Sequence, residues 1–441
     1  MLLPRIGLFR STARQTGFRK SVIAASAAIL LFGPSAAVAN AEPAGPGLPA
    51  ELLSAVTRDL KISPDEYLRR AELGQQVAAF ATSAQRQYPQ VFAGAWLDDA
   101  GKAVVALAQG PGAQEARQAA QSAGFEVRDV AKSEAALRGE KSAFERWLDS
   151  QPAAVSALVR GVVIDTVNNS IAVRVDQAGV PMPSFVDPAR VIVTAPPVAG
   201  ETLPQGTPIA EGVDRASLTG GDGYAAVGGD VQLRCSFGFN GTDRSGNVVN
   251  ISAGHCDPNG AAAGGANASG VHEMLPQDRR GARLGSFAKS VLGSQDYSII
   301  RIDDAVADRF RNNGVRVPGA APVLIEGVAT PVIGAPVCKS GSRTGFSCGI
   351  ISAVDQTVQV GERQLTQSFS ATICALPGDS GGAVVTGRMA LGISSASSVA
   401  DFPICEIPNL IGALTGNAPQ LFAQPLSVVL SDNPGLRVRT N

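Results

Sequence analysis

Histidine and cysteine are scarce in this chain of 441 residues, and they are unevenly spread. There are 2 His and 6 Cys, and residues 42–218 hold neither type. No Cys-x-x-Cys pair occurs, and His272-Glu273 has no second His one helical turn further on, so the spacing of a metal site is missing. No metal or other cofactor is called for. An excess of either charge is missing too: 37 Lys+Arg face 38 Asp+Glu, a net charge of -1. That balance excludes a polybasic nucleic-acid binder. No apolar run reaches the roughly 18–20 residues of a membrane helix. Apolar residues nonetheless make up 45%, enough for a buried core and against global disorder. The length corresponds to roughly three domain-sized units.

What is present changes near residue 218. Residues 1–41 read as an export signal: Arg5, Arg10, Arg14, Arg19 and Lys20 precede a short apolar run, Val22 to Phe32, and small residues around Ala37–Ala41 suit cleavage. Export implies a secreted protein in an oxidising compartment, where an even cysteine count forms disulfides. Residues 42–180 read as a small α/β unit. Ser63-Pro64-Asp65-Glu66 carries an N-cap, a first-turn proline and the acid of a capping box, opening a helix to about Gln87. Ala103–Ala108 and Phe125–Val130 read as strands, Ala113–Ala123 and Ser133–Leu148 as helices. Asn168-Asn169 marks a hairpin turn. Residues 181–218 are rich in Pro and read as a linker.

From residue 219 onward the chain holds 32 of its 49 Gly and all its Cys and His. Short β-rich runs alternate with Gly turns, among them Val231–Phe239, Val248–Ser252, Tyr297–Ile302, Gly349–Val354 and Ala390–Ser394. Long amphipathic helices are missing until about Pro425–Leu430. The pattern is that of an all-β barrel or sandwich. Six Cys allow 15 pairings. The expectation taken here is nearest-neighbour pairing, Cys235 with Cys256, Cys338 with Cys348 and Cys374 with Cys405, each closing a modest loop.

The chemistry concentrates in Pro377-Gly378-Asp379-Ser380-Gly381-Gly382. Its glycines allow a tight turn around Ser380, and the N–H groups of Gly378 and Ser380 can point at one spot, as an oxyanion hole does. A serine is a poor nucleophile without a base beside it. His255, in Ser252-Ala253-Gly254-His255-Cys256, can supply the base, whereas His272 lies in a polar stretch and reads as a solvated loop residue. The base in turn needs a buried carboxylate. Asp296, just before the apolar run Tyr297-Ser298-Ile299-Ile300, fits that role.

Ala253-Gly254-His255-Cys256, Asp296-Tyr297-Ser298-Ile299 and Gly378-Asp379-Ser380-Gly381-Gly382, in that order, resemble the chymotrypsin-like serine peptidases. The nearer likeness is to their secreted bacterial branch, the streptogrisin and alpha-lytic protease type. Gly220-Gly221-Asp222 with Arg234-Cys235-Ser236-Phe237-Gly238-Phe239-Asn240 resembles the mature start of that branch. Phe92-Ala93-Gly94-Ala95-Trp96 and Gly161-Val162-Val163-Ile164-Asp165 resemble its pro-domain. The resemblance implies two six-stranded antiparallel β-barrels, preceded by an α/β pro-domain that assists folding and inhibits until it is cut away. It implies His255, Asp296 and Ser380 as the catalytic set, acting on protein or peptide substrates through an acyl-enzyme, in a monomer with no nucleic-acid partner.

The resemblance also bears on specificity. Ser370–Cys374 offers no acid at the base of the primary pocket, and a basic side chain there would be buried without a partner. Ile393-Ser394-Ser395-Ala396 matches the substrate-pairing strand of the family. By that match Ser394 bonds the catalytic carboxylate and Ser395-Ala396 pair with the substrate backbone. No His lies near Ile393, against glutamate-specific relatives, so an apolar residue before the cleaved bond is expected. Ala396 stands where many relatives have Gly, and Leu376 where streptogrisins commonly have Glu. Self-cleavage after Leu218 would suit the apolar expectation. The competing readings are a catalytically silent binding protein on the same frame and an acyl hydrolase restricted to esters.

Overall fold

The computed structural model describes residues 49–200 and 216–441. The expected signal, residues 1–41, lies outside the described residues. Among those described, no helix is long and apolar enough to cross a membrane.

Helix Pro64–Gln87 starts at Ser63, whose Oγ accepts the Glu66 N–H at 3.2 Å. The reciprocal half of the capping box does not form. The Glu66 carboxylate takes Arg69 and Arg70 instead, at 2.7 and 2.5 Å, because a charge-assisted bond outcompetes a neutral backbone donor. The strands Phe92–Leu97 and Ala103–Ala108 are antiparallel, and Glu126–Val130 joins the second in parallel after helix Ala113–Ser122. Helix Glu134–Asp149 is capped by Ser133 Oγ. The hairpin Val159–Asp165 with Ser170–Val175 turns at Asn169, whose φ is +53°. The Pro-rich stretch is not wholly a linker: Val191–Val193 adds to Ser170–Val175 as a parallel edge strand.

Beyond residue 216 the chain forms two sheets that curl back on themselves. The run expected as one strand, Val231–Phe239, bends. Val231–Ser236 pairs with Gly223–Gly228, and Phe239–Thr242 pairs with Val248–Ser252. The bend falls at Gly238, where any Cβ would sit 2.3 Å from the Ile251 carbonyl, so no larger residue fits. Through the bend, the path Gly223–Gly228, Gly270–Leu275, Arg279–Leu292, Asp296–Ile302, Val248–Ser252 returns to the run that started it. In the second sheet the order is Pro336–Gly341, Ala383–Thr386, Met389–Ser397, Leu421–Pro425, Arg363–Ala371, Gly345–Val360. The last of these pairs with the first. Residues 400–423, which the sequence left unassigned, hold helix Glu406–Thr415, tethered by the Cys374–Cys405 disulfide. The other disulfides are Cys235–Cys256 and Cys338–Cys348. After helix Leu426–Ser431 the chain crosses back, and Arg437–Val438 pairs with Phe239–Thr242 of the first sheet.

The amino-terminal and carboxyl-terminal halves share both sheet and core. Strand Gly345–Val360 runs past its own ring until Thr357 and Val358 pair with Val162 and Gly161. Val77, Phe92 and Leu107 pack in one cluster with Val337, Ile351 and Phe369. At this seam a Cβ on Gly161 would lie 2.3 Å from the Thr357 carbonyl. Gly161→Ala in the full chain carrying Ser380→Ala is therefore expected to lower unfolding stability by about 1–3 kcal/mol. Urea titration checks this; an unchanged midpoint would mean that the seam carries no stability.

Candidate active site

The two rings meet where the three sequence motifs converge. His255 lies in a 3-10 turn, Gly254–Cys256, directly after strand Val248–Ser252, and the Cys256–Cys235 disulfide pins that turn. Gly254 is required there, since a Cβ would fall 1.9 Å from the Val291 carbonyl. Asp296 opens strand Asp296–Ile302 and is 2% exposed. Its Oδ1 accepts the His255 backbone N–H at 2.9 Å and its Oδ2 lies 2.6 Å from His255 Nδ1. The Asp296 N–H is itself held by Gln424 Oε1 at 3.1 Å. Burial works against the charge on Asp296. The His255 charge, with hydrogen bonds from His255 and Ser395, outweighs it and holds the carboxyl below its ordinary range. His255 Nε2 is buried and has no partner among the described residues.

Ser380 is 6% exposed and sits in the turn before strand Ala383–Thr386. Gly381 follows it at φ +83°, with space for no Cβ, since Ser252 Oγ would be 2.0 Å away. Three bonds fix the turn's peptides. Ser236 N–H donates to the Ser380 carbonyl at 2.8 Å. Ser236 Oγ and Ser342 Oγ donate to the Gly378 carbonyl at 2.7 and 3.0 Å. The intervening Asp379 N–H is used by Leu376 O. Among the described residues, nothing accepts from the N–H of Gly378 or of Ser380, so both remain available to a developing negative charge.

Asp379 faces inward and is fully buried. Its carboxylate accepts Lys339 Nζ at 3.1 Å, Thr344 Oγ1 at 2.6 Å, and the N–H groups of Arg343, Thr344 and Leu376. Burial opposes its charge, but Lys339 and these donors win and hold its carboxyl below the ordinary value of 3.8. Lys339 was not singled out from the sequence. It lies between Cys338 and Ser340 in a strand whose every residue is buried.

The substrate strand corrects the expectation by one residue. Among the described residues, no bond joins Ser394 to Asp296. Its backbone N–H and carbonyl are both taken by the Gly381–Gly382 turn. The next residue, Ser395, lies on the opposite face of the strand, and its hydroxyl bonds Asp296 Oδ2. A bulge between Ser394 and Ala396 shifts the register that follows. Beyond that bulge, Ser397 exchanges two backbone bonds of 2.9 Å with Val198 of the Pro-rich stretch. Val198, Ala199 and Gly200 line one small pocket together with Ala375, Leu376, Pro377, Ser380, Ala396 and Ala400 and the serines at 394, 395 and 397. Leu218, by contrast, is 2% exposed and packed in the core, with its N–H bonded to Arg309 O. His272 is not on a loop but on strand Gly270–Leu275, half-buried and remote from this set of bonds, its Nδ1 3.4 Å from Gly281 O. Cys235, His255 and Cys256 offer atoms within 4.8 Å of one another, but the two sulfurs are joined to each other, which leaves no thiolate for a metal.

No protein-family model matches the chain. Serine protease 2 of Streptomyces fradiae is 33% identical over 182 residues, 41% of this chain and 95% of that protein. The chain belongs to the chymotrypsin-like bacterial serine peptidases. This peptidase is a serine-type endopeptidase. Streptogrisin-C of Streptomyces griseus is 28% identical to it over 413 residues, 87% of this chain and 79% of that protein. Glutamyl endopeptidase 2 of Streptomyces griseus is 34% identical over 179 residues, 40% of this chain and 84% of that protein.

Three outcomes follow for the peptidase. Lys339→Met leaves Asp379 buried without its cation and is expected to cost about 3–5 kcal/mol of stability, read by urea unfolding. Because the native carboxyl of Asp379 titrates below 3.8, its contribution is complete above that value and is lost as pH falls through the lower native one. Stability of Asp379→Asn should lack that acid-side loss. Ser395→Ala removes a bond to a charged group worth about 1.5–3 kcal/mol, so kcat/KM is expected to fall by about tenfold or more. Ser394→Ala should fall far less. Equal losses for the two would contradict the assignment.

Proposed function

We propose that Ser380, His255 and Asp296 are the catalytic triad of a secreted peptidase made as a zymogen. The observation that carries this reading is the Asp296–His255 pair at 2.6 Å with an unpartnered Nε2, in the same buried junction as Ser380. Ser380 Oγ attacks the peptide carbonyl while His255 Nε2 takes its proton. The oxyanion forms against the N–H groups of Gly378 and Ser380. His255 then passes the proton to the leaving amine; water, deprotonated by the same nitrogen, attacks the acyl carbon, the bond from that carbon to Ser380 Oγ breaks, and Nε2 returns the proton to Oγ. Asp296 keeps the proton of neutral His255 on Nδ1 and offsets the imidazolium that forms. The two closed sheet paths support the reading of two six-stranded barrels with the site between them.

Residues 42–218 act as a pro-segment that supports folding and blocks the cleft. In support, the seam at Gly161–Val358 joins it to the second sheet, and Val198 pairs with Ser397 as a substrate backbone would. Specificity is for an apolar residue before the cut. The cleft walls Ala375, Leu376, Pro377, Ala396 and Ala400 carry neither charge nor imidazole.

Intact mass and N-terminal sequencing of the secreted protein, with Ser380→Ala in parallel, test the reading. The parent is expected to be cut between residues 200 and 219, and Ser380→Ala to keep its pro-segment. Processing of both alike would remove self-activation. On matched peptide amides, Leu, Phe or Ala before the cut is expected to outrun Glu or Arg by about tenfold or more, since a charged side chain would be buried unpaired. Preference for Glu would overturn the apolar reading.

A further inference from the structure

The first described residues of the pro-segment bind far along the chain from the strand that enters the cleft. Helix Ala50–Ala55 and the π-type turn Val56–Leu60 place Leu52, Ala55 and Val56 in the catalytic half's main core, together with Tyr67. All four are 2% exposed or less. What they meet is the hairpin Pro336–Gly341 with Gly345–Val360. Asp59 Oδ2 accepts the Cys348 N–H at 2.9 Å, and Arg58 Nη2 donates to the Phe346 carbonyl at 3.3 Å. The Tyr67 hydroxyl lies 3.6 Å from Cys338 Sγ and accepts the Gly387 N–H at 2.9 Å.

These contacts sit behind the groups that hold the Ser380 turn. Cys338 precedes Lys339 and faces Cys348 in the hairpin register. The tip of the same hairpin supplies the Arg343 and Thr344 N–H groups to Asp379. Gly387 lies in the turn that joins the strand leaving Ser380 to the strand carrying Ser395. Tyr67 therefore touches the outer ends of both elements whose inner ends shape the oxyanion turn. None of these contacts involves Val198–Gly200.

We infer that Ala50–Tyr67 is a second docking element of the pro-segment, a clamp on the back of the Cys338–Cys348 hairpin that holds the Asp379 turn in shape. This rests on the reading of Gly378 and Ser380 as the oxyanion hole. The clamp gives the pro-segment two separable actions on the catalytic half. One end fills the cleft, and the other organises the turn from behind. Its partner is this chain's own apolar helix, and the socket on the catalytic half is apolar with three polar anchors, the Cys348 N–H, the Phe346 carbonyl and the Gly387 N–H.

Residue-resolved hydrogen–deuterium exchange on the full chain carrying Ser380→Ala tests the clamp. The double change Leu52→Asp with Val56→Asp is compared with the parent, and Tyr67→Phe serves as the milder variant should the double change unfold. The amides of Arg343, Thr344 and Leu376, all bonded to Asp379, are expected to exchange at least tenfold faster in the double variant and at least threefold faster in Tyr67→Phe. The Ser397 amide, bonded to Val198, should keep its parent rate. Faster exchange at Cys348 with unchanged rates at Arg343, Thr344 and Leu376 would overturn the clamp, leaving Ala50–Tyr67 as a cover only. Fluorophosphonate labelling of the matured parent enzyme separates the two claims. Absence of label on Ser380 sinks the catalytic reading and leaves the exchange result standing.

Discussion

The contact between Lys339 and Asp379 is the constraint around which the site is arranged. Both side chains are buried, and neither charge could stay there alone. Burial pulls the Lys339 ammonium down in pKa while Asp379 resists that pull. The pair survives because every remaining lone pair and proton is used: Thr344 and the Gly345 carbonyl take Lys339, and three backbone N–H groups take Asp379. Asp379 is the neighbour of Ser380, so anchoring it inward turns the peptides on either side. The serine hydroxyls at 236 and 342 complete that orientation by holding the Gly378 carbonyl away from the substrate side. The cation that organises the turn is thus an internal side chain of the same sheet.

The two sheets also support one site jointly. Asp296 and His255 come from the first sheet, yet their support comes from the second: Gln424 holds the Asp296 N–H and Ser395 its carboxylate. Ser380 comes from the second sheet, and its carbonyl is held by Ser236 of the first. Each sheet holds in place residues that the other carries. A small rotation between them would break these three bonds at once, which makes the junction stiff.

Much of this was legible in residue order. The turn glycines around Ser380, the Cys beside His255 and the apolar run after Asp296 have local physical reasons that survive without a fold. The register of the substrate strand was not legible, because a bulge adds one residue where sequence spacing assumes none, and Ser394 and Ser395 look alike. Strand Arg279–Leu292 escaped because its apolar residues keep no steady two-residue period and Arg, Lys, Gly and Ser interrupt them; its partners on either side, not its own propensity, make it a strand. Lys339 was overlooked since its partner lies 40 residues away and only burial reveals that the charge must be answered. The Pro-rich stretch reads as a spacer by composition, but Val191–Val193 and Val198 are ordered by neighbours far along the chain.

The strand Arg437–Val438 lies on Phe239–Thr242, and near it Asn433 reaches the Tyr297 hydroxyl, one residue from Asp296. The chain therefore laces the first sheet, leaves to build the second, and returns to tie off the first. The two sheets are not beads on a string. A nick in the connection between them would leave the first fragment without the edge strand that the far end of the chain supplies.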